Sequence, residues 1–128
     1  MSDPMNQSTD SSLIAASKVD GEAVFDPAGE KLGTIKDIYI DKRSGEVEFA
    51  ALAFGGVLGM GEKYHPLPWR ALDYDTGRGG FVVGIAKRAL EESPSFAQTD
   101  LAGDDTAWGD EVRTYYAGLP QGGLGARA

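Results

Sequence analysis

A single histidine, His65, and no cysteine in 128 residues set the limits of the chemistry this chain could carry. A multi-histidine or cysteine metal site is impossible, and so are a thiolate nucleophile and a disulfide. A histidine titrates near neutrality and could act as a general acid or base, but only with an oriented partner and a pocket. Nothing adjacent in the sequence supplies them, so His65 reads as a structural or surface side chain. Asp73-Tyr74-Asp75-Thr76-Gly77 opens like a calcium loop. Such a loop needs a third oxygen ligand before its glycine and a bidentate glutamate at its end. Here the glycine comes early and no suitable glutamate follows before Glu91, so a hairpin turn is the better account. Asp104-Asp105 with Asp110-Glu111 could attract a divalent ion, yet helix capping explains them at lower cost. No Gly-x-Ser-x-Gly elbow surrounds a serine. The residues therefore predict a non-enzyme with no metal and no cofactor.

The segment Gly55-Gly56-Val57-Leu58-Gly59-Met60-Gly61 poses a different question. A phosphate-cradling loop delivers its backbone N–H groups at a helix N-terminus, usually with a lysine and a hydroxyl residue behind. Glu62-Lys63-Tyr64 follows instead, and the next element reads as a strand. A hairpin loop is expected, with small-ligand or metal-ion binding through Gly55–Gly61 as the alternative function. Val57, Leu58 and Met60 place apolar side chains on that turn, where they either close the core or meet a partner.

The elements that would position these residues are mostly strands. Glu22-Ala23-Val24-Phe25 precedes the turn Asp26-Pro27-Ala28-Gly29, in which proline presets φ and glycine accepts the left-handed region. Leu32 to Asp41 reads as a strand, and the spacing of Ile35 and Ile38 breaks alternation after Gly33, which predicts a bulge or bend. Val47 to Phe54 is apolar on both faces, as in a central or covered strand. Pro66 and Pro68 deny ladder donors and mark an edge strand or strand entry. Trp69 beside them either plugs a barrel or anchors a partner. Leu72–Tyr74 and Phe81–Ile85 complete the set around a turn at 75–80. Short strands at this spacing predict an antiparallel sheet of about six strands curled toward a barrel.

Helical patterning appears only later. Residues 87–92 could form one or two turns before Pro94, and 106–117 a longer helix started by Asp104, Asp105 and Thr106. Trp108, Val112, Tyr115 and Tyr116 share one face of it, free either to pack on the barrel or to dock on a second copy. The polar residues 1–17 and the glycine-rich 121–128 read as tails, disordered and flexible respectively. The start has no secretory pattern and no apolar run nears 20 residues, so a cytoplasmic protein without stable membrane insertion is expected. A net charge of −8 and a pI near 4.5 argue against nucleic acid as a partner.

Several ordered segments together resemble PRC-barrel domains. They are Asp26-Pro27-Ala28-Gly29-Glu30-Lys31-Leu32-Gly33-Thr34-Ile35-Lys36-Asp37, the run Gly55 to Tyr64 continuing through Pro66, Pro68-Trp69 and Leu72, and Ala89-Leu90 to Ser93-Pro94-Ser95-Phe96. The resemblance covers residues 18–97, with an extension at 98–120. It implies a mainly β fold, a small PRC-type barrel with short C-terminal helices, used as a docking surface without common catalytic residues. Members include the cytoplasmic part of the photosynthetic reaction-centre H subunit and the C-terminal domain of a ribosome maturation factor. Neither the membrane anchor of the first nor the second domain of the other is seen here, so the stand-alone members are the closer match. The expected function is a non-catalytic protein-interaction or assembly module that forms a homodimer or another homo-oligomer. Its expected surface is Val57, Leu58, Met60, Tyr64, Trp69, Trp108, Val112 and Tyr115.

Overall fold

The computed structural model describes residues 13–54, 63–103 and 107–119. A helical turn, α1 (Ala16–Val19), begins inside the stretch expected to be tail and buries Val19. Six strands follow: β1 (Ala23–Phe25), β2 (Lys31–Ile40), β3 (Val47–Phe54), β4 (His65–Pro68), β5 (Leu72–Asp75) and β6 (Gly80–Val83). Three short helices close the order: α2 (Lys87–Glu91), α3 (Gln98–Ala102) and α4 (Trp108–Ala117). The strands form one sheet in the order β4-β3-β2-β1-β6-β5.

The mainly β reading and its strand count hold, with one correction. The sheet is mixed, because β1 pairs with β6 in parallel, Val24 opposite Phe81. The other four pairs are antiparallel. The parallel pair follows from the link between β4 and β5, a 3₁₀ turn of only three residues, Trp69–Ala71. In a flat sheet of six strands the two edges would lie about 24 Å apart at normal strand spacing. Four Cα–Cα steps reach no further than about 15 Å. Since β4 and β5 are the two edges, the sheet must curl into a half-barrel, and β6 is carried alongside β1.

Curling requires local breaks in the ladder, and the sequence provides them. Ile35 pairs with Leu52 and Asp37 with Ala51, so Lys36 is the extra residue of a bulge in β2, as the broken alternation predicted. Further on, Tyr39 pairs with Phe49 and Ile40 with Val47, which leaves Glu48 as an extra residue in β3. Gly33 sits where the backbone of β3 presses closest: a Cβ there would run into the carbonyl of Ala53. The core is filled by fully buried apolar side chains, among them Ile35, Leu52, Leu67, Ile85, Leu90 and Val112. β4 is an edge strand, as its prolines required.

Gly33→Ala is expected to destabilise the fold by about 1–3 kcal/mol, because the barrel cannot relax a backbone contact cheaply. Gly103→Ala, at negative φ and with only an ordinary contact to the Thr99 carbonyl at 4.0 Å, serves as the control. Chemical denaturation of both variants measures the difference, and equal midpoints would contradict the close-approach role.

Candidate functional site: grooves beside helix α4

Helix α4 lies against β3 and β4 and determines what the surface offers. Its N-terminal residue Trp108 packs edge-on to Tyr39 at 4.9 Å and tilted against Phe49 at 5.4 Å, with Phe96 at 6.2 Å. Trp108 keeps 9% of its surface and Val112 none. Both were expected on an interaction surface if the helix docked on a second copy. That expectation is corrected: the stripe is spent within the chain, because Phe49 and Tyr39 on the sheet complete the aromatic cluster. The cap expected from Asp104, Asp105 and Thr106 lies outside the described residues. The helix ends at Gly118, whose N–H is bonded to the carbonyl of Thr114.

Of the remaining expected surface residues, Tyr115 is half-buried and its hydroxyl donates to the Ala89 carbonyl at 2.6 Å. Burial and then Glu92 push its pKa up. Tyr64 is also half-buried and exchanges two backbone hydrogen bonds with Phe96, each 2.9 Å, which ties the segment after α2 to the start of β4. Trp69 is half-buried, with its ring edge-on to Phe81 at 5.5 Å. It is neither a full plug nor a fully exposed anchor. Val57, Leu58, Met60 and the whole Gly55–Gly61 loop lie outside the described residues.

Two residues that sequence spacing could not single out organise the site. Glu48, the bulged residue of β3, accepts a hydrogen bond from Arg113 Nη2 at 2.6 Å. Arg113 Nη1 donates to Asp110 Oδ1 at 2.8 Å, and its guanidinium lies 5.2 Å from the Phe49 ring centroid. Glu48 and Arg113 are 65 residues apart, so no local motif announces them. The Glu48 hydrogen bond is the main reason that the Arg113 pKa is raised further. The pair is half exposed, and its worth to stability is therefore at the small end for ion pairs.

Glu48, Phe49 and Arg113 form the common wall of two open grooves. One, of about 480 Å³, runs past Pro68, Trp69, Arg70 and Ala117. The other is wider, about 1010 Å³, and separates the β2–β3 hairpin from the ends of α3 and α4. Neither brings His65 into play. His65 Nδ1 lies 2.9 Å from Ser93 Oγ, which itself donates to the Leu90 carbonyl at 2.6 Å. The serine proton being used there, His65 donates from Nδ1 in its neutral form. Its ring stands edge-on to Phe54 at 4.9 Å. Asp75, from the calcium-like stretch, accepts from the backbone N–H groups of Gly77 and Arg78 and so caps the β5–β6 turn. Among the described residues no group of three or more histidine, aspartate or glutamate side chains could hold a metal ion, and no helix is long and apolar enough to cross a membrane.

Burial lowers the His65 pKa from its ordinary value of 6.5, with Ser93, Leu90 and Glu91 opposing it. The unfolded chain then binds a proton at higher pH than the native one, so stability falls as pH drops below about 6.5, until the native pKa is passed. Urea midpoints measured from pH 7.5 to 5 are expected to decline, and His65→Gln to flatten that decline. An unchanged slope in the variant would remove His65 as the cause.

The comparisons with known proteins agree with the architecture. A search of curated proteins finds no match. The family model for the PRC-barrel domain matches residues 12–90, more than half the chain and all six strands. With the curled sheet in place beneath that match, the chain belongs to the PRC-barrel domain family.

Proposed function

We propose that the protein is a cytoplasmic, non-catalytic docking module for another protein. The observation that carries this reading is how the polar and apolar groups are distributed. The barrel interior is packed with apolar side chains, and His65, the one residue suited to general acid–base work at neutral pH, is held by Ser93 and Phe54. Catalysis needs convergent titratable groups around a cleft. The narrower groove instead presents Phe49, Pro68 and Trp69 with Arg70 at its rim, a composition enriched where proteins meet. Self-association is part of the reading and draws on Val57, Leu58 and Met60, apolar residues in the sequence between β3 and β4.

Sedimentation equilibrium at tens of micromolar is expected to show a dimer, and Leu58→Ser with Met60→Ser to shift it toward monomer. A strictly monomeric wild type at that concentration would remove the self-association. Affinity capture from native cells, with ribosomal and membrane fractions kept apart, tests the wider reading. A partner recovered in stoichiometric amount is expected. Recovery of neither a partner nor a second copy would count against docking as the function.

A further inference from the structure

The geometry points to the narrower groove, between the Trp69–Ala71 turn and α4, as a docking site for an extended acidic peptide with an apolar centre. This rests on the docking reading above and names both the surface and the partner's chemistry. The floor is supplied chiefly by the half-buried indole of Trp69, alongside Phe49 and Pro68, which are themselves buried. An apolar side chain laid on that floor would remove the exposed part of the Trp69 indole from water.

Charge then selects the flanks. Arg113, on the far wall, is neutralised by Glu48 and Asp110. Arg78 and Arg88 elsewhere are likewise paired, with Asp75 and Glu92. Arg70 is exposed on the near rim and makes no ion pair or hydrogen bond among the described residues. The half-buried Trp69 indole lies beside it on the same rim. A guanidinium fork next to an apolar floor is complementary to a carboxylate placed beside an apolar side chain. A chain of net charge −8 would otherwise repel acidic segments, so the preference must be local to this rim.

Anisotropy titrations of the full chain against fluorescein-labelled decapeptides test the assignment. The peptides share a Leu-Phe-Leu centre flanked by Glu, Lys or Ser. Tightest binding is expected for the Glu-flanked peptide, about tenfold over the Lys-flanked one at low salt and less at high salt. Arg70→Glu, an exposed change whose folding is checked by circular dichroism, is expected to invert that order. Equal affinity for the three peptides, or a preference untouched by Arg70→Glu, overturns the proposal. So does loss of self-association in Arg70→Glu without any peptide preference, which would assign the groove to a second copy. A native partner captured equally by wild type and Arg70→Glu would leave the docking reading standing and remove this groove from it.

Discussion

The three residues between β4 and β5 constrain everything else in this fold. Strands that are neighbours in sequence occupy opposite edges of the sheet, and a link of that length cannot bridge a flat one. The curl that results brings β6 beside β1, concentrates the apolar faces inward, and demands a bulge at Lys36, another at Glu48 and a glycine at position 33. It also fixes where Trp69 and Arg70 appear. They lie on the seam that closes the sheet, so a turn required by topology becomes the rim of a surface groove.

Helix α4 is the second constraint, and it acts through β3. That strand is apolar on both sides because both sides are covered. Leu52 pairs with Ile35 and Ala50 with Leu67 on one face, while Phe49 on the other receives Trp108 and the Arg113 guanidinium. The bulge at Glu48 is what allows a strand packed against a helix to carry a carboxylate to that helix's arginine. Tyr116, one turn beyond Val112, is buried as well, and burial pushes its pKa up to about 12. The helix is therefore fastened at both ends of its apolar face.

Much of this was legible in the residues. Val47–Phe54 carries its strand bounds openly, Ile35 and Ile38 announce the bulge between them, and Pro66 with Pro68 announces an edge, since each signal is local and has a steric cause. The parallel β1–β6 pair had no such signal, because pairing partners depend on the short β4–β5 link rather than on either strand's composition. The α3 turn, Gln98–Ala102, buries only Leu101 and offers too little periodicity to read. The stripe Trp108, Val112 and Tyr115 reads as a face, but a helical face does not say whether its partner is the same chain. Arg113 and Glu48 were hidden because their meeting is a product of the folded register.

The two arginines beside α4 illustrate why a charge in a groove is not by itself a binding group. Arg113 has a carboxylate on each of two sides and an aromatic ring beneath it, so an incoming anion would have to displace bonds already made at 2.6 and 2.8 Å. Displacement returns little, because the lost hydrogen bonds offset the new ones. Arg70 has no such commitments among the described residues, and its guanidinium is always charged. An exposed free cation alone would attract an anion only weakly. Set against the Trp69 indole and the Pro68 ring, it works at an edge where bound apolar atoms exclude water, and there the same charge counts for more. The proposed selectivity of the groove thus depends on the contrast between a neutralised wall and a rim arginine unpaired among the described residues, which the β4–β5 link and the α4 anchor create together.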